Sequence, residues 1–178
     1  MKNFKTLSTI LIALLFMSAC TAETNEKTPI ISGEGIISLT GDDTASVGNS
    51  LKLGAMAYGR KDLTGTEESI IIAPEESIIS EDSPTLSPSD PEYVSSIINF
   101  KDDKNAFVIV ATKELVSIVI VTNGIKRRYV CDSKFNTSVN CGAITIDPKT
   151  KKVIFYETTV KNTNTGTLLT LNGTLTWN

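Results

Sequence analysis

The 178-residue chain contains no histidine. Ser-His-Asp and Cys-His nucleophile sites cannot form, because both need an imidazole to take the nucleophile's proton. The histidine-containing zinc hydrolase sites fall for the same reason. Ser-x-x-Lys, Gly-x-Ser-x-Gly and the phosphate-cradling Gly-x-x-x-x-Gly-Lys loop are also missing. Any enzyme built on this chain would rest on carboxylates, lysine, tyrosine or a bound cofactor. The reading is non-enzymatic, with no catalytic residue, no cofactor and no metal site assigned. Positive charge is in short supply too, with 17 Lys+Arg against 20 Asp+Glu. That balance excludes a general nucleic-acid binder, which shows a basic excess or stripe. Aromatic rings are few, and the single tryptophan, Trp177, is in phase with Leu169, Leu171 and Leu175 and reads as core. A sugar binder would display more rings. No sustained helical period, heptad pattern or internal repeat is present.

The only long apolar run is at the start. Lys2 and Lys5 precede a mostly apolar stretch, Leu7 to Ala19, that ends in Met17-Ser18-Ala19-Cys20. A charged start, a short apolar middle and small residues before a cut form the layout of an export signal. The run is too short for a finished bilayer-spanning helix, which needs ~20 residues. The segment Met17-Ser18-Ala19-Cys20 resembles the lipobox of bacterial lipoproteins. The resemblance implies that the Cys20 sulfur receives a diacylglycerol, that the signal is removed before it, and that the new amine is acylated, typically with palmitate. Three acyl chains at ~0.8 kcal/mol per buried methylene would hold the protein on a membrane almost permanently. The implied location is the bacterial cell envelope, and the outer membrane if the host is diderm, because Thr21 is not an aspartate. The implied organisation is a signal over 1–19, a polar tether over 20–29 and a β-rich domain over 30–178. Without Lys2 and Lys5 the remainder carries 15 cations against 20 anions, the wrong sign for attraction to anionic lipid. The Cys20 anchor alone would provide the membrane contact.

After Cys20 only Cys131 and Cys141 remain. An even pair in an oxidising compartment reads as one disulfide. On a chain-entropy basis it would contribute ~2–3 kcal/mol. The alternative, two free thiols acting in redox or metal chemistry, lacks both the Cys-x-x-Cys spacing and a histidine partner. The polar loop 132–140 is a candidate contact surface, since a disulfide would preorganise it; plain structural stapling is the simpler reading.

Alternating apolar residues and frequent turn signals make the domain all-β, an antiparallel β-sandwich or small barrel. Ser50 to Tyr58 places Leu51, Leu53, Ala55 and Ala57 on one face. Ala106 to Thr112 and Leu115 to Thr122 are apolar enough for central, doubly buried strands. Asn123-Gly124 predicts a tight hairpin to a return strand over Ile125 to Cys131. Two more hairpins join strands at Ala143–Asp147, Lys152–Val160 and Thr167–Trp177 into a meander. Glu81 to Glu92 holds Pro84, Pro88 and Pro91 among serines and acids and reads as a surface loop. Tyr93 to Phe100 is ambiguous between helix and strand: Ser89-Asp90-Pro91-Glu92 would start a helix, yet Val94, Ile97 and Ile98 are β-branched, and strand is preferred.

Three features bear on chemistry. The adjacent acids Asp42-Asp43, Glu67-Glu68, Glu75-Glu76, Glu81-Asp82 and Asp102-Asp103 sit beside turn residues and read as solvated loop charge. On a strand, neighbours point to opposite faces, so they are not natural acid/base couples. Asp102-Asp103-Lys104-Asn105 could lend oxygens to calcium, but lacks the remainder of the loop. Lys126-Arg127-Arg128-Tyr129 is the one dense basic cluster; it could meet lipid headgroups or an acidic protein face, or simply guard a hairpin edge, which is the preferred reading. The functional expectation is a lipid-anchored envelope protein with a structural or protein-interaction role and an envelope protein as partner. The alternatives are a carrier of a small apolar ligand and a carboxylate-based hydrolase.

Overall fold

The structure, a computed structural model, describes residues 31–87, 90, 92–132, 139, 141 and 144–178. The signal, Cys20, the tether and loop positions 133–138 and 140 lie outside the described residues. In chain order the elements are β1 (Ile31–Glu34), β2 (Ile36–Gly41), α1 (Thr44–Val47), β3 (Ser50–Tyr58), α2 (Lys61–Thr64) and β4 (Ser69–Pro74). There follow β5 (Ile78–Ile79), α3 (Tyr93–Ile97), β6 (Ile98–Asn99), β7 (Ala106–Thr112), β8 (Leu115–Thr122) and β9 (Ile125–Asp132). The chain ends in β10 (Ile144–Asp147), β11 (Lys152–Asn162) and β12 (Leu168–Trp177). The fold is all-β, and of the two expected architectures it is the barrel. Ten strands form one antiparallel sheet whose pairing runs β2–β3–β4–β7–β8–β9–β11–β12 and returns from β12 to β2. Closure leaves few of the sheet edges that invite pairing with other chains; among the described residues β10 keeps one, since it pairs only with β11. β1 lies across β12 and β3, and β5 and β6 pair only with each other.

Alternation along each strand fills the barrel. Leu169, Leu171, Leu175 and Trp177 of β12 point inward, as the sequence phase requires, and Trp177 stacks on Tyr58 with ring centroids 5.8 Å apart. Ile37, Met56, Ile70, Ile72, Ile109 and Ile118 are fully buried in the same core. Burying each such side chain stabilises the fold by roughly 1.5–3 kcal/mol. The hairpin at Asn123-Gly124 forms with φ of 52° and 77°, the two positive values that a tight turn between twisted strands needs.

Three expectations are corrected. The face expected to carry Leu51, Leu53, Ala55 and Ala57 is split, because the register slips between Leu53 and Ala55. Leu51, Leu53 and Met56 enter the barrel core, whereas Ala55 and Ala57 face outward into a second, smaller core. The slip occurs at Gly54, where any side chain would run into the backbone of Glu75. Next, Tyr93 to Ile97 is helical and only Ile98–Asn99 is strand. The start signal prevails over the β-branched residues, with the Asp90 carboxylate accepting the Glu92 N–H at 2.9 Å. Last, β8 is buried on one face only; its outward residues, Leu115, Ser117, Val119 and Val121, stay half-exposed.

The second core lies outside the barrel. Ile79, Ile97 and Ile98 from the β5–α3–β6 insert pack on Ala55, Ala57, Ile71, Ala73 and Val108 of the outer wall. That wall thus becomes buried on both faces, which explains the near-continuous apolar runs of β4 and β7.

Candidate functional site: a barrel seam, a basic rim and an outer apolar groove

The weakest join of the ring is between β9 and β11, which pair through only Val130–Lys161 and Tyr129–Asn162. Farther along β11, β10 takes the place of β9, pairing Ile144 with Phe155 and Asp147 with Lys152. Two devices hold this seam. At one end Cys131 of β9 is joined to Cys141, just before β10, at disulfide distance, with Cα atoms 5.5 Å apart. Both cysteines are buried in the barrel core, so the expected disulfide is a staple within the wall.

The other end is closed by Asp43, in the turn between β2 and α1. Its Oδ2 accepts hydrogen bonds from the Tyr129 hydroxyl at 2.8 Å, Asn162 Nδ2 at 2.9 Å and Thr167 Oγ1 at 2.8 Å. The donors come from β9, the end of β11 and the residue just before β12. Burial alone would push the Asp43 carboxyl up, but the three hydrogen bonds and the nearby Arg127 charge outweigh it and hold it below its ordinary value. The same burial, then the bond to the Asp43 carboxylate and its charge, push the Tyr129 phenol upward. The adjacent Asp42 does a smaller version of this task, accepting the Leu168 N–H at 3.1 Å. The pair Asp42-Asp43, expected as loop charge, is in half of its membership a structural acceptor. The signal was weak in the sequence because all three donors to Asp43 lie more than eighty positions away.

The basic cluster is divided by strand alternation. Arg127 points inward opposite Ile120, and its Nη1 is buried with no hydrogen-bond partner among the described residues. Lys126 and Arg128 point outward, opposite Val121 and Val119 of β8. The edge-guarding role expected of this cluster has little to guard, since Thr163 already donates its N–H to the Arg128 carbonyl at 2.9 Å.

Beside Lys126 a groove of about 180 Å³ opens between the insert and the outer wall. Val94, Phe100, Val108, Val119 and Val121 line it, together with the charged Lys126 and Asp103. The space exists because the helix and the two-residue β6 cover β4 and β7 but stop short of β8. The insert is fastened at its other side by Arg60, which is only 2% exposed. Arg60 forks onto Asp62, with Nε–Oδ1 at 2.9 Å and Nη2–Oδ2 at 2.7 Å, and donates to the carbonyls of Ser80 and Asp82. That fork holds the Asp62 carboxyl below its ordinary value, while Ser83 adds a hydroxyl donor at 3.0 Å.

The carboxyls displaced by their surroundings, Asp43, Asp62, Asp102 and Asp147, all move downward. A general acid needs the opposite displacement. In the calcium-like segment Asp102 is committed to its own turn, accepting the backbone N–H of Lys104 at 2.9 Å and Asn105 Nδ2 at 3.0 Å. Among the described residues no group of three or more His, Cys, Asp or Glu could hold a metal ion. Comparison with protein-family models, curated proteins and solved structures finds no match to the chain.

Proposed function

We propose that this chain is a lipid-anchored protein of the bacterial envelope, attached through Cys20, with a non-enzymatic interaction role. One wall supports the interaction part of the reading. The β3–β4–β7 face is sealed by the insert, while among the described residues nothing covers the β2–β12–β11 face, which carries Ile36 at 58% exposure and Tyr156 at 65%. Tyr156 stands out because of a bulge. The β11–β12 register shifts between Phe155 and Thr158, so Tyr156 and Glu157 both face solvent, with Glu157 at a φ of 50°. A non-glycine residue in that region carries backbone strain, and bulges of this kind re-aim side chains at binding surfaces. Between these residues the face is mostly uncharged, with Thr159 bonded to Thr170 and Ser38 to Asn172. An apolar and hydroxylic face suits a protein partner more than a charged polymer.

The test has two arms. Cys20→Ala abolishes metabolic lipid labelling and releases the protein from membranes; retention on salt-washed membranes would refute the anchor. A photo-crosslinking aromatic at position 156, in cells that make the protein natively, captures an envelope protein that the same probe at exposed Lys149 does not. Identical capture patterns from both positions would refute the wall.

A second reading, a carrier of an apolar ligand, is supported by the outer groove. Its place differs from the one such a carrier would ordinarily use, since the barrel interior is occupied by Tyr129, Phe155 and the aliphatic core.

A further inference from the structure

The outer groove and the two outward cations of β9 lie side by side, and their chemistry is complementary to one kind of molecule. The groove is apolar along its length, from Val94 and Phe100 on the insert to Val108, Val119 and Val121 on the wall. Lys126, itself exposed, is part of its lining. Arg128 is two residues farther along the same outward face, about 7 Å away at the rise of a strand. Both cations are exposed and neither has an ion-pair partner among the described residues. The remaining half-exposed residues of β8, Ser117 and Leu115, continue the weakly polar strip past the groove.

We infer that this groove binds an aliphatic chain ending in an anionic head, with the tail under the insert and the head on Lys126 and Arg128. Asp103 also lines the groove, and its negative charge repels a head placed beside it, which leaves Lys126 and Arg128 as the favourable seat. The volume sets the length of tail that is covered. At about 180 Å³ the groove covers only a short stretch of tail. A longer tail would run out along β8, where one side remains open to water. The inference rests on the groove alone and stands whether or not Cys20 is acylated.

The head could belong to a free carboxylic acid or to an anionic phospholipid of the surrounding membrane. Methyl NMR of the full chain in nanodiscs distinguishes them, reading the valine methyls at 94, 108, 119 and 121. In discs of zwitterionic lipid, titration with straight-chain carboxylates shifts these methyls saturably, and affinity rises about fourfold per added methylene until the groove is filled. Beyond that length the gain flattens. Octanol binds more weakly than octanoate. Lys126→Glu reduces octanoate affinity by about tenfold and leaves octanol unchanged. Val121→Trp, which fills the groove from a half-exposed position, abolishes the shifts for both. If free acids have no effect but the methyls shift when the disc lipid is replaced by phosphatidylglycerol, and Lys126→Glu removes that shift, the head is a membrane lipid's. The inference is overturned if neither the acids nor the anionic discs move these methyls, or if octanoate affinity is the same in Lys126→Glu and in the parent protein.

Discussion

Replacing Asp43 by alanine removes the single acceptor shared by Tyr129, Asn162 and Thr167. The three donors do not suffer equally. Thr167 is half-exposed and turns to water, whereas Tyr129 is 0% exposed and Asn162 4%. Leaving a buried donor without a partner costs about 1–3 kcal/mol. Asp43 itself is only half-buried, so water can enter the space vacated by its carboxylate, and the lower part of that range applies. Two such donors give a loss of about 3 kcal/mol. Against a typical stability of ~5–15 kcal/mol this is a large fraction. For a domain of this size it lowers Tm by about 6–12 °C. Urea unfolding followed by the fluorescence of Trp177 measures it, since that indole is buried at the opposite end of the same core. Asp42→Ala is the matched control. It forfeits one backbone bond at an exposed site and costs below about 1 kcal/mol. Asp43→Asn keeps one acceptor oxygen but loses the charge and falls between the two. If Asp43→Ala and Asp42→Ala destabilise equally, the seam is not held by Asp43 and the reasoning fails.

The same carboxylate makes stability depend on acid. Its folded pKa lies below the unfolded value of 3.8, so its contribution is complete above that value and is lost as pH falls through the folded pKa. Urea midpoints taken from about pH 6 down to about pH 2 will drop more steeply in the parent protein than in Asp43→Asn. Replacing Cys131 and Cys141 together by serine costs about 2–3 kcal/mol, and combining that change with Asp43→Ala costs more than the sum, because both close one seam; a strictly additive double mutant would contradict this. Arg60→Ala leaves the Asp62 carboxylate to water and Ser83 but removes the donors to the Ser80 and Asp82 carbonyls, costing about 2 kcal/mol, and hydrogen exchange will show lost protection in β5, α3 and β6 while β8 and β9 stay protected.

The parts of this fold legible in the sequence are those governed by local rules. β7 and β8 follow from apolar runs, the turn at 123–124 from Asn-Gly, and the inward face of β12 from strict alternation. The Cys131–Cys141 pair followed from parity and compartment. What escaped reading depends on contacts distant in sequence. Gly54 looks like an ordinary strand glycine until Glu75 is brought against it, and the resulting slip exchanges Met56 for Ala55 in the core. Lys126, Arg127 and Arg128 look like one cluster until the strand separates them onto two sides of a wall. Asp43 resembles its neighbour Asp42, and only the ring's closure reveals which of them meets Tyr129. The outer groove depends on where a short helix stops over a sheet, which no periodicity encodes.

The order of the strands around the ring has a consequence for how the protein is made. β2, near the start of the domain, finds its second neighbour in β12, so Gly41 waits for Leu169 and Leu39 for Leu171. A chain delivered from its amino end is an unclosed ribbon until β12 arrives. Up to that moment Ile37 and Leu39 have no lining on one flank, and exposed apolar strands of this kind are recruited readily by other chains. Closure of the ring therefore falls to β12, which acts as the latch of a cylinder, a slow, long-range step in which Trp177 is seated against Tyr58 only when the circle is complete.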